Sequence, residues 1–167
     1  MWRPDFAFQK SYLARIIGYH RSLCVISHHY RGTPEKPGLV LGLDRGGSRV
    51  GVVYEVSHDD WNEVIAHIRQ RELITHVYRE VIKSVSLLED QKPVKAITYI
   101  VQRDHPQFFA PQSDEQTIAK VKQGIGLAGS CVDYVRNTVA HLKGLGIKDQ
   151  KLEALAARLS SSSRIDP

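Results

Sequence analysis

The amino-acid sequence predicts an α+β fold, and two features of the residue pattern carry that prediction. β-Branched and aromatic residues in short runs dominate the first hundred positions, whereas apolar residues at helical spacing dominate from Ser113 onward. A chain whose strands come first and whose helices come last is typical of an α+β domain, in which helices flank a small barrel or a strongly curved sheet. The 167 residues, 42% hydrophobic and 25% charged, fit one domain over 1–159 and a disordered, serine-rich tail over 160–167.

The predicted strands alternate with segments rich in turn-forming residues. In chain order they are 13–27 with a break near Gly18, 39–43 and 49–56 joined by a hairpin turn over 44–47, and 77–88 and 93–101 joined by a turn over 89–92. Two prolines and two glycines over 31–38 predict a stiff loop before the second strand.

Between the two predicted hairpins lies the clearest helix. Ser57 and Asp60 have capping-box spacing and predict its start. One apolar stripe at helical spacing follows, made by Trp61, Val64, Ile65 and Ile68. One further turn of the stripe reaches Glu72, so this carboxylate is predicted to face the core side of the helix rather than water.

Three more helices are predicted after residue 113. Their predicted caps are Ser113 with Gln116, Ser130 with Asp133, and Asp149. The glycines at 144 and 146 are predicted to separate the last two helices. The middle helix has an apolar stripe of Val132, Val135, Val139 and Leu142, with Tyr134, Thr138 and His141 on an adjoining face.

Composition excludes several classes of protein. No apolar run is long enough to span a bilayer and no secretory signal is present, so we expect a cytoplasmic protein. Only two cysteines are present, which excludes a disulfide framework. The net charge of +5 suits an anionic small substrate as well as nucleic acid, and the basic residues are scattered without an aromatic and basic stripe. We therefore do not expect a nucleic-acid partner.

The sequence contains few motifs that are typical of a metal site or a catalytic nucleophile. The eight histidines lack H-E-x-x-H spacing and no G-x-S-x-G elbow occurs, so we expect neither a metal nor a serine nucleophile. Cys24 lies in an apolar strand and is predicted to be buried. Cys131 lies near a helix N-terminus, where a thiol can be activated, although a structural role is favoured.

Glu72 allows two interpretations. A carboxylate at the end of an apolar stripe is often paired with a nearby arginine, here Arg71 or Arg79, in a purely structural role. A partly buried carboxylate also suits general acid/base catalysis. Helical spacing alone leaves both open.

Four segments give the sequence a family resemblance. They are Trp2-Arg3-Pro4-Asp5-Phe6, the loop Tyr30-Arg31-Gly32-Thr33-Pro34-Glu35-Lys36-Pro37-Gly38, Arg71-Glu72-Leu73-Ile74-Thr75 with Tyr78, and Gly129–Thr138 with its Asp-Tyr pair. In this order and spacing the chain resembles the bacterial branch of the ChaC-type glutathione-specific γ-glutamylcyclotransferases, from Trp2 to about Leu159.

The resemblance implies a γ-glutamylcyclotransferase-like small β-barrel with flanking helices. It also implies a lyase that converts glutathione to 5-oxoproline and cysteinylglycine without a metal or other cofactor. Glu72 matches the family's acid/base, and the implied substrate-binding residues are Tyr134, Arg31 and Trp2. Glu63 matches a second acidic position, where an exposed helical carboxylate is usually only a surface charge.

One family segment is absent from the sequence. The family has Tyr-Gly-Ser-Leu immediately before the stretch that begins here with Met1 and Trp2, and its backbone cradles the γ-glutamyl group. The resemblance therefore implies one of two things: the start lies further upstream, which in-frame codons for that segment before Met1 would show, or the protein lacks the first strand and half of its substrate cradle. Two alternatives stay open: a cyclotransferase for other γ-glutamyl amines, and a ligand-binding homologue without activity.

Overall fold

The α+β class predicted from the sequence is confirmed by the computed structural model, which describes residues 4–110 and 113–161. In chain order the elements are β1 Lys10–Ser27, β2 Gly38–Glu55, α1 Trp61–Glu72, β3 Tyr78–Leu87, β4 Pro93–Val101, α2 Asp114–Gln123, β5 Ile125–Gly126, β6 Gly129–Ser130, α3 Cys131–Gly144 and α4 Gln150–Ser161. The predicted tail begins at residue 160, within α4, and residues 162–167 lie outside the described part. No helix in the described ranges is long and apolar enough to cross a bilayer.

The larger sheet has four strands in the order β2-β1-β3-β4. β3 and β4 form an antiparallel hairpin that runs from Tyr78 opposite Val101 to Ser86 opposite Pro93. Gln91 in the connecting turn has a φ of 57°. The predicted hairpin over 77–101 is therefore confirmed.

The prediction of a first hairpin, with its turn over 44–47, is wrong. Residues 38–55 form the single strand β2, and Gly46 and Gly47 lie inside it with φ of 106° and 68°. Glycine adopts positive φ at little cost, so such a pair can bend a strand without reversing it. His20 Nδ1 lies 3.1 Å from Gly46 O, so β2 stays beside β1 at this bend. Gly18, the predicted break, has a φ of 84° within a continuous β1.

The chain divides into two compact units, one of residues 1–22 and 42–106 and the other of residues 23–41 and 107–167. In the first unit, α1 buries Val64 and Ile68 against Tyr99 of β4. Partly buried residues around this cluster are Phe6, Val56, Leu73, Tyr78 and Ile97. The apolar stripe predicted for α1 therefore does face the core, except that Trp61 is exposed.

Cap residues explain where the helices of the second unit begin. Ser113 Oγ accepts from Gln116 N at 3.3 Å, and Ser130 Oγ accepts from Asp133 N at 3.0 Å. Asp149 Oδ1 accepts from Leu152 N at 3.3 Å. These predicted caps are confirmed.

The start of α1 differs from the prediction. Ser57 Oγ accepts from Asp60 N at 3.0 Å, as a capping box requires, but the helix begins only at Trp61. Asp60 is the N-cap and its side chain makes no capping hydrogen bond. The Ser57 contact therefore closes the turn before α1 rather than its first helical turn.

Asp44 gives the first unit a pH-dependent contribution to stability. Its side chain is 9% exposed and accepts from Arg103 Nε at 2.7 Å and Nη2 at 3.0 Å. Burial would raise the pKa of Asp44, but the hydrogen bonds from Arg103 and from the Arg45 backbone outweigh burial and hold this pKa below its ordinary value of 3.8. The stabilisation is therefore present above the unfolded-state pKa and lost as the pH falls through the folded-state pKa.

Asp44→Asn is expected to lower the free energy of unfolding at pH 7 by about 1–3 kcal/mol, because Arg103 loses a charged acceptor. The difference in free energy of unfolding between Asp44→Asn and the unsubstituted protein should shrink as the pH falls below 3.8, the ordinary pKa of aspartate. Urea unfolding at several pH values measures both. The fully exposed Asp59, changed to Asn, is the matched control and should leave stability nearly unchanged. If this difference in free energy of unfolding stays constant with pH, the Asp44 carboxylate does not contribute pH-dependent stability.

Candidate active site

Glu72 is the last residue of α1 and lies in the first unit. Its side chain is 17% exposed, and its Oε1 accepts from Arg71 Nε at 3.1 Å. A carboxylate is unfavourable at the negative end of the helix dipole, and the basic residues in the last turn, Arg69 and Arg71, offset this. The prediction that Glu72 faces away from bulk water agrees with this partial burial.

Arg71 joins Glu72 to a second carboxylate. Its Nη1 donates to Asp5 Oδ1, and His67 Nε2 lies 3.2 Å from Asp5 Oδ2. The hydrogen bond from Arg71 holds the pKa of Asp5 below its ordinary range. Burial would lower the pKa of Arg71, but the two carboxylates outweigh it and raise this pKa. Arg71 is therefore a fixed cation shared between Asp5 and Glu72.

The third nitrogen of Arg71 is unusual. Arg71 Nη2 is buried and has no hydrogen-bond partner among residues 4–110 and 113–161. A buried donor left unpaired costs about 1–3 kcal/mol, and such groups are rare enough in folded proteins to require an explanation.

Glu80 contacts the core cluster of Val64, Ile68 and Tyr99 through the Tyr99 hydroxyl, and both its carboxylate oxygens accept hydrogen bonds. It accepts from Arg69 Nε at 2.8 Å and Nη2 at 2.7 Å, and from Tyr99 Oη at 2.9 Å. The hydrogen bond from Arg69 lowers the pKa of Glu80, whereas burial and the Glu80 contact raise the pKa of Tyr99. A carboxylate held at both oxygens is a poor proton carrier. Glu72, held at one oxygen, is the better candidate.

Arg31 and Tyr134 lie beside each other in the second unit. The guanidinium of Arg31 lies 5.3 Å from the centroid of the Tyr134 ring, within cation–π range. Arg31 Nη1 also donates to Ala128 O, and to Ser130 O at 3.3 Å. Tyr134 Oη accepts from Leu41 N at 3.1 Å. Both side chains are thus fixed in place by backbone contacts.

Glycines hold the loop of Arg31 against a small hairpin formed by β5 and β6. Leu127 N donates to His29 O at 2.9 Å, and Ala128 N donates to Tyr30 O at 3.0 Å. A Cβ at Gly126 would lie 2.4 Å from His29 O, and one at Gly124 would lie 2.4 Å from Arg31 O. This hairpin was not predicted from the sequence. Its local signal in the sequence is the group of three glycines at 124, 126 and 129.

The thiol of Cys131 is not activated. Its Sγ donates to Leu39 O at 2.9 Å and accepts from Leu39 N at 3.3 Å. Burial raises the pKa of this thiol despite its place at the start of α3. Cys131 is therefore a structural residue, and the predicted burial of Cys24 is also confirmed.

The predicted site residues fall in different parts of the chain. Glu72 belongs to the first unit, whereas Arg31 and Tyr134 belong to the second. Trp2 lies outside the described residues. Glu63 is exposed in the first turn of α1. Within residues 4–110 and 113–161, no group of three or more histidine, cysteine, aspartate or glutamate side chains is placed to hold a metal ion.

The chain is similar in fold to solved structures and in sequence to curated proteins. A solved structure of a yeast glutathione-specific γ-glutamyl cyclotransferase superposes with a TM-score of 0.82 over 92% of this chain and 89% of that chain, at 20% identity. The glutathione-specific γ-glutamylcyclotransferase of Escherichia coli is 28% identical over 93% of this chain and 67% of its own length. The human glutathione-specific γ-glutamylcyclotransferase 1 is 28% identical over 94% of this chain and 72% of its own length.

The family model for ChaC-like proteins matches residues 1–162, almost the whole sequence. The match includes α1 with Glu72, the loop over 31–38 and α3 with Tyr134. The chain therefore belongs to the ChaC-like protein family.

Proposed function

We propose that this protein is a glutathione-specific γ-glutamylcyclotransferase in which Glu72 is the acid/base. The proposal depends on a partly buried carboxylate at the position that the family resemblance assigns to proton transfer, which accepts a hydrogen bond through one oxygen only among the described residues. Family membership and the names of the relatives support the choice of substrate.

The reaction requires one nucleophile, and the substrate contains it. The α-amine of the glutamyl group attacks its own γ-carbonyl carbon, a five-membered ring forms, and the C–N bond to cysteine breaks. The products are 5-oxoproline and cysteinylglycine, and no water is consumed. Folding the substrate into the attack geometry can supply several kcal/mol of the barrier.

Proton movement is the task left to a side chain. The α-ammonium must lose a proton before it can attack, and the departing cysteinyl amine must gain one. One carboxylate can do both in turn, first as base and then as acid. We assign this role to Glu72. The tetrahedral oxyanion would be stabilised by backbone amides.

Substrate binding is assigned to Arg31, Tyr134 and Trp2. The guanidinium of Arg31 is a fixed positive charge in the second unit and suits a substrate with two carboxylates. The Tyr134 ring offers a rigid surface beside it. A cytoplasmic location is part of the proposal, since both cysteines are free thiols and the substrate is an intracellular thiol.

The expected activity is release of 5-oxoproline from glutathione, with equal release of cysteinylglycine and no release from γ-glutamyl-alanine. Chromatography of the products from both substrates, with the Glu72→Gln variant as the blank, measures this. Release from γ-glutamyl-alanine at a similar rate would instead favour a broader cyclotransferase. Calorimetric binding of glutathione without product would favour a ligand-binding homologue.

A further inference from the structure

Two arginines of the first unit hold a carboxylate by the same edge of the guanidinium. Arg69 donates from Nε and Nη2 to the two oxygens of Glu80, at 2.8 and 2.7 Å. Arg103 does the same to Asp44, at 2.7 and 3.0 Å. Nε and Nη2 point their hydrogens in parallel, so this edge matches the two oxygens of a carboxylate.

Of the Nε and Nη2 edge of its guanidinium, Arg71 uses only Nε to bind a carboxylate. Its Nε donates to Glu72 Oε1 at 3.1 Å, whereas its Nη2 is buried and meets no acceptor in the part of the chain that the structure describes. Glu72 Oε2 makes no hydrogen bond among the described residues. An unused donor and an unused acceptor therefore belong to the same ion pair.

The helix and Asp5 together prevent the second hydrogen bond. Arg71 and Glu72 are consecutive residues of α1, so their side chains leave the helix about 100° apart and do not face each other squarely. Asp5 accepts from Nη1 and fixes the guanidinium from its other edge. Arg71 is thereby kept from turning to meet both oxygens of Glu72.

We propose that Arg71 is a positioning residue for Glu72: it fixes the carboxylate through Oε1 alone and keeps Oε2 for proton transfer with the substrate. This inference rests on the proposed function, in which Glu72 carries the proton. The unpaired Nη2 is the consequence of a geometry that leaves one oxygen of Glu72 open, in contrast to the closed pairs of Arg69 and Arg103.

Arg71→Lys tests the inference because lysine keeps the charge but loses the Nε donor and the planar edge. We expect kcat for 5-oxoproline release to fall about tenfold to a hundredfold, as for a misplaced catalytic group, with KM unchanged. The matched control is Arg69→Lys, in the same helical turn, whose partner Glu80 is structural. It should leave kcat unchanged, whatever it does to stability. Added ethylguanidine should restore part of the turnover of Arg71→Ala.

The outcomes separate this inference from the proposed function. If the unsubstituted protein releases 5-oxoproline, Glu72→Gln does not, and Arg71→Lys has a normal kcat, Arg71 does not position Glu72 and only the inference fails. If Glu72→Gln keeps its turnover, the proposed role of Glu72 itself fails. An Arg71→Lys effect confined to KM would also overturn the inference, because it would indicate a substrate contact.

A measurement without turnover covers the case in which Arg71→Lys does not fold. Nitrogen-15 NMR of the unsubstituted protein should show slow solvent exchange of the Arg71 Nε proton, and Glu72→Ala should accelerate it. Glu80→Ala should accelerate the exchange of the Arg69 Nε proton instead. If the Arg71 Nε proton exchanges equally fast with and without the Glu72 carboxylate, the hydrogen bond is not formed in solution and the inference is overturned.

Discussion

Glu72→Gln is expected to lower kcat for 5-oxoproline release about 10²–10⁴-fold, the usual contribution of a general acid/base. Glutamine has the same shape, and its amide oxygen can still accept from Arg71 Nε, so the end of α1 should keep its structure. What is lost is the ability to take a proton from the α-ammonium and return it to the leaving amine. Circular dichroism and a thermal melt beside the kinetic assay separate the loss of chemistry from a loss of fold.

Glu63→Gln is the matched control for this change. Glu63 lies on the same helix, has the same side chain and is exposed in the first turn. Since none of the described contacts of Glu72 and Arg71 involves Glu63, this change should leave turnover unchanged. Equal losses in the two variants would mean that the net charge of α1, and not the carboxylate at 72, controls the rate, and the acid/base assignment would be abandoned.

The position of Glu72 was predictable because it depends on local periodicity. Three apolar residues at helical spacing, Val64, Ile65 and Ile68, mark the buried side of α1, and the next turn places Glu72 there. Its relation to Asp5 was not predictable. Asp5 and Arg71 are 66 residues apart, and only the tertiary fold brings them together. The neighbouring Arg71 could be seen in the sequence. Whether it would bind one oxygen of Glu72 or both could not be predicted.

Strands were harder to predict than helices for a related reason. The caps at Ser113, Ser130 and Asp149 act within one turn and appear in the sequence as spacing. Gly46 and Gly47 suit either a hairpin turn or a bend in a long strand, and the choice depends on β1, which lies beside β2. Local residue preferences therefore produced a hairpin where the fold has a single strand.

Gly38→Ala is expected to lower the free energy of unfolding by about 3 kcal/mol, at the upper end for overpacking. A Cβ at Gly38 would lie 1.9 Å from Arg31 O and 2.9 Å from Arg31 C. These are backbone atoms, which cannot move aside as the end of a flexible side chain can. Relief would require the loop over 31–38 to open, and Arg31 would then lose its contacts with Ala128, Ser130 and Tyr134. Urea unfolding measures the loss.

Two other glycines distinguish this steric effect from the general effects of adding a methyl group. Gly18 has a φ of 84° but open space around it, so Gly18→Ala should cost about 1–2 kcal/mol through the backbone conformation alone. Gly144 has neither restriction, and Gly144→Ala should stabilise the end of α3 by up to about 1 kcal/mol. We thus predict that the free energy of unfolding falls most in Gly38→Ala, less in Gly18→Ala, and rises slightly in Gly144→Ala. If Gly38→Ala were no worse than Gly18→Ala, the loop around Arg31 would be looser than its backbone contacts imply, and Arg31 would lack the fixed position that substrate binding requires of it.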